Sequence, residues 1–257
     1  MTKAAGQAEP AAFPLDAVGR ACFVSGMANE ERERTGVSEA VGDYLKAIWA
    51  LGGTEPVSTR DLARQLSVSP PSVSGMLVRL HDLGLVHHER YYGVTLTAEG
   101  TAIALRLVRR HRLIETFLVE HLGYSWDEIH DEAEILEHAV SDRFVERLEA
   151  LLGHPTHDPH GDPIPSPDGD LPRTPNLILS RAVPGSRFRI SRLLTQDSDQ
   201  LSALAALGLK PGVTVEVSAG ERTDDSETTG LVIILAGIRH ELTRELAGLI
   251  QGEEIDS

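Results

Sequence analysis

Glu134, Glu137 and His138 stand at i, i+3 and i+4 in the segment IHDEAEILEHAV, so a helix there turns two carboxylates and an imidazole the same way, about one turn apart. His130 lies one turn earlier, near the same stripe. Carboxylates gathered beside an imidazole repel one another unless they are solvated, protonated or bound to a cation. Oxygen donors with one imidazole suit Mn(II) or Fe(II), whereas thiolate sites favour Zn(II) or Cu(I). Taken alone, E-x-x-E-H is a weak pattern that reads more readily as a solvated helix face than as a metal site. A second pair, His111 and Glu115, is spaced i, i+4 and shares a face of another helical stretch. Asp127, Glu128, Asp131 and Glu132 have a simpler explanation, since acids favour the positive end of a helix dipole.

These groups need elements to hold them. Thr97 opens a long helix through about His121, which carries His111 and Glu115. Ser125 with Glu128 is the capping-box pattern for a single helix from about Trp126 to Leu152, which carries the E-x-x-E-H group. Upstream, Val41, Leu45, Ile48, Trp49 and Leu51 form one stripe of an amphipathic helix over 38–51. Ser58 with Asp61 marks the start of a short helix through Leu66, and Ser69 caps a third, with Pro70 at its first position. Val73, Met76, Leu77 and Leu80 give that third helix its buried stripe, and Gly84 ends it. LVHHERYYGVTLT follows as two short strands around Tyr91, Tyr92 and Gly93, with His87 and His88 on the hairpin surface.

Helix, helix, helix and hairpin in this order make a winged helix-turn-helix, whose third element lies in a major groove. A plain helical bundle with a hairpin is the alternative. The DNA-facing set is Arg60, Ser69, Pro71, Ser72, Ser74, Arg79 and Arg90. Small hydroxyls there can reach phosphates and base edges, while the arginines, with Arg64, attract the backbone. Net charge is −15, which would ordinarily argue against nucleic acid. The stretch from Gly36 to Arg112, however, holds nine basic and seven acidic residues and is itself +2.

At roughly 100–200 residues per domain, 257 residues suggest two or three domains. A hydrophobic content of 41% with 25% charged residues excludes wholesale disorder and collagen-like repeats. No apolar run approaches the roughly 18–20 residues that cross a bilayer, and the N-terminus lacks the apolar core of a signal peptide. With the single Cys22 unable to form an internal disulfide, the expected compartment is the cytoplasm, with no membrane partner. Residues 1–36 are expected to be a mobile extension, with Met27 as an alternative start. His154 to Pro175 contains seven of the 14 prolines and can be neither helix nor central strand. It is expected to be a solvated tether in which His154, His157 and His160 are linker residues, with adventitious metal binding as the alternative. Beyond it, RFRIS, DSDQLSALAALGL, KPGVTVEVS, GLVIILAG and RELAGLI give a small β-rich domain with one helix, a final helical turn and turns at Lys210-Pro211-Gly212 and Gly237. Asp197 and Gln200, at i and i+3, are a helix cap and first-turn residue by pattern.

GDYLKAIWAL, VSPPSVSGMLVRL, LVRRHRLIETFLVEHLG, IHDEAEILEHAVSD and GDPIP, in this order and spacing, resemble the DtxR family of metal-dependent transcriptional regulators, especially its manganese-responsive, MntR-like branch. The resemblance runs from about Val37 to Ile250. It implies a mainly α protein with a small β domain. The layout would be an extension (1–36), a winged helix-turn-helix (37–98), a helical metal-binding and dimerisation domain (99–153), a proline-rich tether (154–183) and an SH3-like, FeoA-like barrel (184–257). It also implies a primary metal site of Asp43, Glu134, Glu137 and His138. An ancillary site would come from His111, Glu115 and His130, completed by Asp197 and Gln200. Iron-responsive members carry Met and Cys where this chain has Asp43 and Glu134, so the donor set here is harder and favours Mn(II), with Fe(II) as the alternative. Lys46 replaces a Glu that helps small two-domain manganese regulators build a binuclear cluster, which disfavours that cluster here. Gly75 replaces a base-contacting Gln of iron-responsive members, so their operator preference does not transfer.

The function expected is a homodimeric, manganese-dependent repressor of metal homeostasis genes that binds a palindromic double-stranded operator and is not an enzyme. Without metal, repulsion among Asp43, Glu134 and Glu137 would leave the first helix variably placed. A metal-independent winged-helix regulator is a further alternative. A metal-dependent hydrolase is disfavoured, because the chain has no H-E-x-x-H, P-loop or nucleophile elbow.

Overall fold

The computed structural model describes residues 38–89, 92–126, 128–218 and 230–255. Cys22, Met27, the 1–36 extension, Tyr91 and Arg90 therefore lie outside the described residues. Three helices open the chain: α1 (Glu39–Gly52), α2 (Thr59–Gln65) and α3 (Pro70–Asp82). Ser58 Oγ accepts from Asp61 N and Ser69 Oγ from Ser72 N, so both expected caps form. Gly84, at φ 73°, closes α3 where a side chain would be strained. Leu45, Ile48, Leu62, Val73, Leu77 and Leu80 close a core beneath these helices, but Leu51 is exposed. The hairpin of β1 (Val86–Glu89) and β2 (Gly93–Leu96) follows, and Val57 adds a bridge to Val94 on its open edge.

Helix α4 (Ala98–Leu122) begins at the Thr97 cap and ends on Gly123 in the left-handed region. The single helix expected over 126–152 is instead two, α5 (Ile129–Glu137) and α6 (Asp142–Leu151). Two features stop the first helix. Arg110 donates to the Glu137 carbonyl at 2.9 Å, and Ser141 Oγ caps a new helix by accepting from Phe144 N. At the start of α5 the expected capping box forms only in part. Ser125 N and Oγ both donate to Glu128 Oε2, but Ser125 does not cap α5, which begins at Ile129. Leu113, Ile114, Leu118, Ile129, Ala133, Val145 and Leu148 pack α4, α5 and α6 together. Among the described residues no helix is long and apolar enough to cross a membrane.

The C-terminal domain is a six-stranded antiparallel sheet in the order β3-β8-β4-β5-β6-β7, made of β3 (Leu177–Ile178), β4 (Arg187–Leu193), β5 (Thr214–Val217), β6 (Leu231–Leu235), β7 (Ile238–Leu242) and β8 (Ile250–Ile255). Helices α7 (Ser198–Ala206) and α8 (Arg244–Gly248) pack on a core of Phe188, Ile190, Leu201, Leu204, Val215, Ile233, Leu242 and Ile250. Ala236 and Gly237, both at positive φ, make the tight β6–β7 turn. Because β3 pairs with β8 and Leu179 is buried in the same core, the domain begins near residue 177 and takes in the end of the segment assigned to the tether.

The tether is not a solvated linker. Asp158, His160, Asp162 and Ile164 are all buried. Arg112 Nη1 donates to the Pro163 carbonyl and Arg109 Nη1 to the Pro165 carbonyl, so α4 grips the segment through carbonyls that the prolines leave free. On the other side, the His160 carbonyl accepts from Leu193 N of β4. Residues 156–165 thus form a strap between the helical layer and the sheet.

Candidate metal centre

Asp43 comes from the middle of α1, Glu134 and Glu137 from α5, and His138 from the C-cap of α5. One ligand atom from each of the four lies within 4.8 Å of all the others. His138 Nε2 is 3.0 Å from Asp43 Oδ1 and 3.5 Å from Glu137 Oε1. The Asp43 carboxylate raises the His138 pKa, against burial and with help from Glu137. Glu137 is fully buried, and its Oε2 accepts from His111 Nδ1 at 2.7 Å.

His111 Nε2 in turn faces Glu115 Oε1 at 3.1 Å and His130 Nδ1 at 3.2 Å, so His111, Glu115 and His130 form a second group. Burial opposes charge on His111, but Glu115 and Glu137 outweigh it and raise its pKa to about 10. Burial likewise opposes charge on Glu115, yet His111 and His130 hold its carboxyl well below the usual range.

Asp197 is not grouped with His111, Glu115 and His130 within 4.8 Å, and both it and Gln200 have local partners. Asp197 is exposed and caps α7 by accepting from Gln200 N at 3.0 Å, and Gln200 Oε1 accepts from Thr195 Oγ1 at 2.5 Å. The strap delivers two further donors to Glu115, since Asp158 and His160 join it in a third, fully buried group. Burial, then Glu115 and Asp162, push the Asp158 carboxyl up. The H-D-P-H spacing was visible in the sequence, but the meeting with Glu115 depends on packing 43 residues away along the chain.

Lys46 also enters the primary group. Its Nζ lies 2.8 Å from Glu134 Oε1 and 2.5 Å from Glu137 Oε1. The donor chemistry fits a hard divalent ion, being carboxylate oxygens and imidazoles with no sulfur. His160 Nε2 is buried without a hydrogen-bond partner, as a nitrogen available to a cation would be.

The third helix turns Pro71, Ser72, Ser74, Gly75, Val78 and Arg79 to solvent, and Ser69 and Arg60 are exposed beside it. The Ser69 and Ser72 hydroxyls are 2.8 Å apart, and Ser74 Oγ donates to the Pro70 carbonyl.

Residues 37–94 match the N-terminal DNA-binding domain of the iron-dependent repressors, 97–166 their metal-binding and dimerisation domain, and 178–254 the FeoA domain. These define a homodimeric DNA-binding repressor governed by a metal. The chain is 30% identical over 226 residues to the diphtheria toxin repressor of Corynebacterium efficiens, covering 83% of this chain and 94% of that one. It is 31% identical over 229 residues to the iron-dependent repressor IdeR of Mycobacterium leprae, covering 82% and 96%. Among solved structures it resembles a manganese-dependent transcriptional repressor in complex with manganese, at TM-score 0.75 and 39% identity over 83% of this chain and 99% of that one. It also resembles ScaR with bound Cd2+, at TM-score 0.70 and 36% identity over 85% and 100%. The chain belongs to the DtxR family of metal-dependent transcriptional repressors, which are not enzymes.

Proposed function

We propose that this repressor responds to Mn(II), and that as a cytoplasmic homodimer it binds palindromic operators at metal homeostasis genes. The observation that carries the choice of metal is the sulfur-free primary set of Asp43, Glu134, Glu137 and His138. Iron-dependent relatives keep Fe(II) as the second reading. A bound divalent ion supplies one positive centre to carboxylates of two helices. Asp43 ties α1 to α5, and α1 packs on both α2 and α4, so holding Asp43 fixes the winged helix against the dimerisation layer. A coupling of roughly 1–3 kcal/mol per site is enough to change operator occupancy about 5–150-fold. On DNA, Ser69, Pro71, Ser72, Ser74 and Arg79 face the duplex, with Arg60 toward its backbone and the charge of Arg90 adding to the attraction.

For the second site we place Asp158 and His160 with Glu115, His111 and His130, ahead of Asp197 and Gln200. Operator binding at fixed salt, titrated anaerobically with Mn(II), Fe(II) and Zn(II), tests the metal, and Mn(II) should activate at the lowest free concentration. Activation by Fe(II) at lower concentration would overturn that reading. Calorimetry on the D158N/H160A and D197A/Q200A variants tests the ancillary ligands, since only the first pair should lose a binding event.

A further inference from the structure

Glu137 offers the primary group one oxygen, because His111 holds Oε2. That remaining oxygen, Oε1, is 2.5 Å from the Lys46 ammonium, which also takes Glu134 Oε1 at 2.8 Å. Lys46 is three residues from Asp43 on α1, so it approaches from the same helix face as a proposed metal ligand. Its side chain is 12% exposed, and Glu137 is fully buried. A buried carboxylate without a cation is strongly unfavourable; His111 meets Oε2 of Glu137, and the lysine ammonium meets the oxygen left for the metal, Oε1. An ammonium and a divalent ion cannot hold the same two oxygens together, since their charges repel at contact range. Lysine is a compact charge on a flexible four-carbon stem, and a groove of about 370 Å³ lined by Trp49, Gln65, His130 and Gln196 opens beside it.

Resting on the primary-site reading above, we propose that Lys46 is the built-in counter-cation of the primary carboxylates. A divalent ion must displace it, so Lys46 sets both the metal affinity of the site and the hold of α1 on α5 when no ion is bound. The lysine thereby raises the free metal concentration at which the repressor switches. It also keeps α1 docked without metal, where carboxylate repulsion alone would release it.

The test uses the full chain and the variants K46M, K46R and E137Q. Mn(II) affinity is measured by competition with a fluorescent chelator, and amide exchange along α1 is followed with and without Mn(II). K46M keeps a long unbranched side chain, one atom shorter, and removes the charge, so it should bind Mn(II) about tenfold more tightly. Its α1 amides should exchange about tenfold faster in chelator and return to wild-type rates when saturated with Mn(II). K46R keeps a cation and should retain α1 protection. Unchanged or weaker Mn(II) binding by K46M, or unchanged α1 exchange, overturns the proposal. E137Q separates the two layers. If it binds Mn(II) as wild type does, the primary-site reading itself fails. If it loses Mn(II) while K46M behaves as wild type, only the role of Lys46 falls.

Discussion

His111 lies between the two groups of ligands, with one ring nitrogen on Glu137 and the other on Glu115. Its pKa is raised from an ordinary 6.5 to about 10, so the stability it contributes is fully present below 6.5 and is lost as pH rises through about 10. The thermal midpoint of chelator-treated protein should therefore fall between pH 7 and pH 10, and H111Q should flatten that slope. A metal held by His111 must expel its proton, so Mn(II) affinity should climb over the same window. Glu134 governs a different property. Its side chain is 38% exposed and its ion pair with Lys46 is partly solvated, so Glu134→Cys should change stability little. It introduces a thiolate, and the ratio of Mn(II) to Co(II) activation midpoints should move by more than about twofold against Mn(II). An unmoved ratio would remove Glu134 from the ligand set.

The strap at 156–165 joins the helical layer to the sheet. Arg112 faces Trp49 of α1 at 5.6 Å and reaches Asp158, Asp162 and the Pro163 carbonyl, so one guanidinium joins the first helix to the strap. Gly161 crosses β4 so closely that a Cβ would fall 1.9 Å from the Ser191 carbonyl oxygen, at φ +83°. Gly161→Ala should cost about 3 kcal/mol, measured by urea unfolding, and weaken the second metal event along with it. The E-x-x-E-H group on α5 and the Ser58 and Ser69 caps of α2 and α3 were legible because they are local patterns. The break at 138–141 was not read, because the local Ser141 cap marks a helix start only once Arg110, reaching across from α4, has ended the preceding one. The strap was hidden for a related reason. Seven prolines tell what a segment cannot be, whereas its burial is decided by arginines about 50 residues earlier in the sequence.

Across the whole molecule, a reading module of charge about +2 is carried by a chain of net charge −15, so attraction to DNA must come from that module's own basic residues. Replacing Ser72 and Arg79 by Ala should weaken operator binding about tenfold or more and leave Mn(II) affinity unchanged. If Arg79 meets a phosphate, the slope of log affinity on log salt should also fall by about 0.9. Gel-shift titrations at several salt concentrations check both. The buried strap has a further consequence, for where the chain can be cut. A protease needs exposed backbone that can enter its cleft, and Asp158, His160, Asp162 and Ile164 offer little. Limited digestion should therefore leave no new termini between residues 157 and 164, despite a proline-rich composition that suggests an open hinge. A nick downstream of the strap should release the sheet domain while Asp158 and His160 stay with the N-terminal fragment, so that proteolysis divides the protein behind its ligands and not through them.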